Sequence, residues 1–333
     1  MKILILGGTG FVGRILTENL INSGKNPVLF NRGKRNPDIF PELRKIKGDR
    51  ETADIKHISN ESWDVVVDFS GMFPDNVEYI INLLKGKAGR YIFISSVSAY
   101  EMDEEENNSE PIKEDFKTYP CTDEQRKDKN IMATYSQKKA ECERILLDNS
   151  WLDVIIFRPA LIYGRYDPTD RFHYWLYRSK SEKEILLPDD GNTRSTSTYS
   201  EDFAKILEKS LTIKNHHKVY NAATHETVSL KEIIQTATKL LNTNPQTVNA
   251  PAEFFKINNV QPWTDIPLWL GGSHLVFDNS RIKKDFGIQF SSFEDSLKGC
   301  IDYYSSLGWP VPKYGLQLDK EKELIKQLRT RKP

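Results

Sequence analysis

A strand pattern at residues 2–6, apolar from Ile3 to Leu6, leads directly into Gly7-Gly8-Thr9-Gly10-Phe11-Val12-Gly13, which in turn opens a helical pattern over residues 11–23. Phe11, Val12, Ile15, Leu16 and Leu20 share one stripe of that helix. Strand, glycine turn and helix in this order leave few folds open. Gly7 permits a tight turn, Gly10 lets the backbone approach a pyrophosphate, and Gly13 lets the helix pack close to the strand. The free N–H groups at the helix start favour the anion. The spacing is GxxGxxG rather than GxGxxG. A glycine-rich turn without a ligand is the competing reading, and it weakens because a second strand pattern, residues 27–30, follows in place.

Further strand patterns at 63–69, 90–95 and 154–157 alternate with helical patterns at 76–84 and 135–147. Alternation of this kind predicts an α/β fold, a Rossmann doubly wound parallel sheet covered on both faces. The chain has 333 residues, enough for a second, smaller substrate-binding lobe towards the C-terminus. We expect the nucleotide-binding unit to span 1–164, with 195–223 returning to the sheet through a strand at 219–221. The lobe is expected at 165–194 and 224–312, with a helix at 230–241. A charged C-terminal surface helix is expected within 313–333. Residues 101–129, acidic and then mixed in charge, read as a solvated loop.

Composition removes several classes. Lys and Arg number 47 against 47 Asp and Glu, so no net charge draws the chain to nucleic acid or an anionic membrane. Three cysteines, Cys121, Cys142 and Cys300, cannot build a disulfide framework, and none has metal-ligand spacing. His216-His217 has no third ligand in view, so no metal is expected. No stretch approaches ~18 uninterrupted apolar residues. A cytoplasmic enzyme acting on a small molecule, with no membrane and no nucleic-acid partner, is the expectation.

The residues after the second strand bear on cofactor choice. An NAD site wants a carboxylate there for the ribose hydroxyls. This chain has Asn31 and Arg32, followed by Lys34 and Arg35, which favours the 2′-phosphate of NADP over NAD. Asp49, after Gly48, is placed to clamp the adenine.

Tyr135 and Lys139 lie four apart, on one helix face. The strand at 90–95 ends in Ser95-Ser96-Val97-Ser98, with hydroxyls at the carboxyl edge where ligands of doubly wound sheets bind. Together with the glycine turn, Gly48-Asp49, Glu143, Arg158-Pro159-Ala160-Leu161-Ile162-Tyr163-Gly164, Tyr220-Asn221-Ala222 and Asp278-Asn279-Ser280-Arg281, these features resemble the extended short-chain dehydrogenase/reductase superfamily, the NAD(P)-dependent epimerase/dehydratase proteins. Phe30-Asn31-Arg32-Gly33, the run from Asp167 to Phe172 and Gln261-Pro262-Trp263 are similar to an atypical bacterial subgroup, which is also similar to chloroplast stem-loop RNA-binding proteins.

The resemblance implies a catalytic set. Tyr135 is the general acid/base on a hydroxyl or carbonyl, Lys139 supplies positive charge beside it, and Ser96 hydrogen-bonds the same oxygen. A tyrosine ordinarily titrates near ≈10, so cationic neighbours are the right sign for work near neutrality. The resemblance also extends the cofactor contacts to Thr9, Phe11, Val12, Ser70, Gly71 and Pro159, and to Tyr135 and Lys139 themselves. Three departures narrow the chemistry. Val97 and Ser98 stand where dehydratases carry an acidic pair, which disfavours water loss. Leu161 replaces an Asn that serves nucleotide sugars, Arg165 stands at the closing Pro of the same motif, and Asn31-Arg32 suits a reductase. Epimerisation of a different substrate stays open. Arg171 and Arg194 are the substrate candidates, with His173, Tyr174, Trp175 and Trp263 behind them. The rival readings are a non-catalytic RNA-binding protein and a cofactor sensor on the same fold. The resemblance implies that a homodimer, where one forms, uses helices 76–84 and 135–147, but the sequence shows no decisive apolar stripe there and leaves the oligomeric state open.

Overall fold

The computed structural model describes residues 1–102 and 110–330. Its centre is a seven-stranded sheet of β1 (Ile3–Leu6), β2 (Val28–Asn31), β3 (Lys45–Lys47), β4 (Trp63–Asp68), β5 (Ala88–Ile94), β6 (Asp153–Arg158) and β7 (Val219–Asn221). The spatial order is β7-β6-β5-β4-β1-β2-β3, and every pairing is parallel. Because β1 lies between β2 and β4, the chain reverses direction across the sheet there. That switch point opens a crevice at the carboxyl ends of β1 and β4.

Side-chain alternation shows why the sheet is buried on both faces. Ile3 and Ile5 of β1 join Val65, Val67, Ile92 and Ile155 in one core, whereas Leu4 and Leu6 join Val66, Phe93 and Ile156 in the other. The helix α1 (Phe11–Asn22) packs on the first face with the helix Ser200–Ser210. On the second lie α2 (Pro74–Leu83) and α3 (Tyr135–Leu147), packed on each other. The edge strand β3 reads Lys-Ile-Lys, with flanking lysines of the kind that blunt a sheet edge, and its brevity hides it from periodicity.

The lobe has its own core. The helices Arg171–Ser181 and Leu230–Leu241 pack together, and the strand Glu184–Pro188 pairs in parallel with Gln246–Ala250. Trp175, Leu176, Ile185, Ile233 and Phe255 fill the space between them.

Three expectations change. The helix Leu318–Thr330 is not merely a surface element: Leu324 and Ile325 are buried in the lobe core, and Glu321 pairs with Arg178 while accepting the Leu186 N–H at 3.0 Å. Abundant charge concealed its narrow apolar stripe. Within 224–312, the helix Ser280–Phe286 belongs to the sheet instead, with Ile282 and Phe286 packed beside Phe157 and Tyr220. Of the expected loop 101–129, residues 103–109 lie outside the described residues. The remainder carries Ile112 and Glu114 into the interior and forms a capped helix, Asp123–Lys127. Polarity alone hid these anchors. Among the described residues, no helix is long and apolar enough to cross a membrane.

Candidate active site

A cavity of about 820 Å³ opens at the switch point. Gly7, Thr9, Gly10, Phe11, Val12 and Gly13 form one side, with Asn31, Arg32, Asp49 and Ser70 around the rim. The glycine turn leaves no room for side chains at key points. A Cβ on Gly13 would sit 2.5 Å from the Gly7 carbonyl oxygen, so helix and turn touch through backbone. One on Gly10 would meet Arg35 Cδ at 2.9 Å, which places the Arg35 side chain over the turn. Asn36 Nδ2 donates to the Thr9 carbonyl at 2.9 Å, tying the 32–36 segment to the same turn.

The rim is cationic but not uniformly free. Arg32 is mostly exposed and stands 3.8 Å from the Asp49 carboxylate. Asn31 accepts the Gly33 N–H at 2.9 Å, while its Nδ2 is buried without a protein partner. An orphaned donor beside a glycine cradle fits a dinucleotide that brings its own acceptors.

Sequence reading missed Arg50, which lines the cavity floor. Its guanidinium grips Asp68 through Nη1 at 2.7 Å and Nη2 at 3.1 Å, and Nη1 also donates to Ser70 Oγ at 2.7 Å. Tyr91 OH donates at 2.7 Å to Asp68 Oδ2, the oxygen that Nη2 also reaches. Burial alone would raise the Asp68 carboxyl, but Arg50 beside it holds it below the ordinary value. An arginine after Gly48-Asp49 gives no sequence signal of this, because its partner comes from the end of β4.

Tyr135 begins α3 and is half-buried; Lys139, one turn on, is buried. The Lys139 ammonium donates to the carbonyls of Gly71 at 2.9 Å and Ile94 at 2.8 Å, and lies 6.0 Å from the Tyr135 ring centroid. Both partners are neutral, so they orient the charge without cancelling it. Ile94, whose carbonyl holds Lys139, and Ile131, four residues before Tyr135, line the cavity.

The two serines at the end of β5 are used differently. Ser95 is buried and donates to Glu143, whose carboxylate is held by Arg158 Nε at 3.0 Å. Arg158 also lies over the Tyr100 ring at 4.5 Å, and Tyr100 OH donates to Asn221 Oδ1 at 2.5 Å. This chain of contacts fastens β5, α3, β6 and β7 beneath the site. Ser96 is half-buried and caps the short turn Val97–Ala99, its Oγ accepting the Ser98 N–H at 3.1 Å. Among the described residues, the Ser96 hydroxyl donates to none. The Pro159 carbonyl accepts the Val97 N–H at 3.1 Å, bracing the same turn.

The substrate candidates separate. Arg194 is committed to Thr227 and Glu232, with Nε 2.9 Å from Thr227 Oγ1 and Nη1 3.1 Å from Glu232 Oε1. Tyr174 and Trp175 lie in the lobe core, where Trp175 Nε1 donates to the Pro267 carbonyl at 2.8 Å. His173 stacks on Tyr304 at 3.7 Å between ring centroids. Arg171 is near Trp263 and Tyr314 instead. His216 and His217 pair with Asp153 and Asp285 respectively.

Comparison with known proteins agrees with this architecture. A family model described as the NAD dependent epimerase/dehydratase family matches residues 3–223. The chloroplast stem-loop binding protein of 41 kDa b from Arabidopsis thaliana is 29% identical over 221 residues, 61% of this chain. The match spans about half of that relative, 53% of its length. Among solved structures, the UDP-glucuronic acid 4-epimerase of Bacillus cereus in complex with NAD is 19% identical, covers 93% of this chain and 100% of its own, and superposes with a TM-score of 0.69. The UDP-glucose 4-epimerase of Thermotoga maritima with UDP-glucose is 17% identical, covers 92% and 99%, and gives 0.70. At these identities the likeness is one of fold.

Proposed function

Because this chain belongs to the NAD dependent epimerase/dehydratase family, we propose that it is a nicotinamide-dependent oxidoreductase or epimerase. It acts at a carbinol or ketone carbon of a small polar, sugar-like metabolite, with Tyr135 as the acid/base and NADP preferred over NAD. The observation that carries this reading is the Lys139 ammonium, buried on two neutral carbonyls next to the Tyr135 ring. A buried cation without a counter-charge is costly to keep for packing alone. It sets a positive charge beside the ring of the residue proposed to take the proton of a substrate hydroxyl.

The glycine turn, Asn31 and Asp49 hold the dinucleotide, with Arg32 at the adenosine 2′ position. When bound, the nicotinamide supplies hydride acceptance and donation. Tyr135 moves the proton at the substrate oxygen, and Ser96 donates a hydrogen bond to that oxygen. Ile94, Ile131 and Phe73 on the cavity wall exclude water. Val97 and Ser98 offer no acid for expelling water from a neighbouring carbon, so the reading favours reduction or epimerisation over dehydration.

The stem-loop binding relative supports a second reading, RNA binding on the same fold. The zero net charge and the complete Ser96, Tyr135 and Lys139 set weigh against it.

The test is turnover of a metabolite pool with NADPH and NADH, comparing the native chain with Tyr135→Phe. Activity is expected to fall by about 10²–10⁴-fold at saturating cofactor. Equal activity in the two proteins removes the acid/base role, and a chain that binds neither dinucleotide removes the enzyme.

A further inference from the structure

Arg171 opens the helix Arg171–Ser181, three residues after Pro168, which lines the cofactor cavity. Its guanidinium carbon lies 4.8 Å from the Trp263 ring centroid and 5.9 Å from that of Tyr314. Among the described residues it makes no hydrogen bond and no ion pair. Its neighbours in the lobe contrast with this: Arg165 pairs with Glu201, Arg178 with Glu321 and Arg194 with Glu232.

The carboxylates of the preceding turn are occupied elsewhere. Asp167 is buried and accepts the Thr169 N–H at 2.8 Å and the Thr169 hydroxyl at 2.7 Å. Asp170 accepts the Lys313 N–H at 3.2 Å. Arg171 is half-buried, and that partial loss of solvent lowers its guanidinium from the ordinary value, with the nearby Asp167 charge opposing in part. Trp263 holds its ring there from a left-handed backbone, φ 65°, a conformation rarely adopted by so bulky a residue. The arrangement is thus a guanidinium fork that, among the described residues, no carboxylate bonds, set against two aromatic rings and three residues from the Pro168 wall of the cavity.

We propose that Arg171, between Trp263 and Tyr314, is a substrate subsite that binds the oxyanion, a carboxylate or a phosphate, of an anionic sugar. The fork matches two oxygens of such a group, and the aromatic faces pack against the C–H face of the sugar ring. This subsite rests on the proposed function for its place beside a reacting carbon, but binding to it needs no turnover.

The experiment titrates the full chain, with saturating NADPH, against D-glucuronate, D-glucose 6-phosphate and neutral D-glucose, read by calorimetry. At least one anion is expected to bind more tightly than glucose, and the stronger of the two identifies the oxyanion. Arg171→Gln is expected to weaken that anion by about tenfold or more, with glucose unchanged. Arg171→Lys, which keeps charge but loses the fork, falls between them and serves if the glutamine variant does not fold. Binding of neither anion above glucose, or unchanged binding in a folded Arg171→Gln or Arg171→Lys chain, overturns the subsite. Tyr135→Phe is expected to retain anion binding. Arg171-dependent binding in a chain without Tyr135-dependent turnover would therefore remove the proposed function and leave the subsite.

Discussion

Arg158 holds the Glu143 carboxylate at 3.0 Å from Nε, with both side chains buried and Ser95 bonded to the same carboxylate. The pair joins α3, which carries Tyr135 and Lys139, to β6. Removing one partner leaves an uncompensated buried charge, whereas removing both leaves an apolar gap. Glu143→Gln is expected to cost about 3–5 kcal/mol in urea unfolding. The double change Glu143→Leu with Arg158→Met is expected to cost less than either single change, and a strictly additive result would show that the pair is not coupled.

Gly13 tests the cradle. An alanine Cβ would stand 2.5 Å from the Gly7 carbonyl, and backbone cannot swing aside as a side chain can. Gly13→Ala is expected to lose about 1–3 kcal/mol of stability and to weaken NADPH binding in a fluorescence titration. Native affinity in that variant would place the dinucleotide elsewhere.

Arg32 tests cofactor choice. Its guanidinium is exposed and only loosely paired with Asp49 at 3.8 Å, so it is available to a 2′-phosphate. Arg32→Ala is expected to weaken NADPH by about tenfold to a hundredfold, from the 1.5–3 kcal/mol of a charged hydrogen bond, and to leave NADH nearly unchanged. Equal losses for both dinucleotides would refute the preference.

Burial raises the Asp167 carboxyl from 3.8 to about 6, with the two Thr169 bonds opposing in part. A raised folded-state value means the native chain binds the extra proton between those limits. Its contribution to stability is therefore full below pH ~4 and declines as pH rises through ~6, by roughly 3 kcal/mol or less. Asp167→Asn keeps an acceptor for Thr169 without the charge. It is expected to raise the melting temperature at pH 7.5 and leave it nearly unchanged at pH 4. Parallel pH profiles for the two proteins would contradict this assignment.

Much of the fold was legible because its signals are local. The glycine turn between β1 and α1, the two-faced apolar strands and the stripes of α1 and of Leu230–Leu241 follow from spacing along one chain segment. The Tyr135–Lys139 spacing is local in the same way. What the tertiary structure decided are the partnerships. Lys139 could not be read as buried on Gly71 and Ile94 carbonyls, because those acceptors arrive from the ends of β4 and β5. Arg50 with Asp68, Arg158 with Glu143 and Arg178 with Glu321 read as surface charge until the chain folds, since a buried ion pair leaves no periodic trace. The same reason separates Arg194, tied to Glu232, from Arg171, which lies against the rings of Trp263 and Tyr314. Residue type alone determined which groups can carry charge, and the packed structure decided which of those charges are already neutralised.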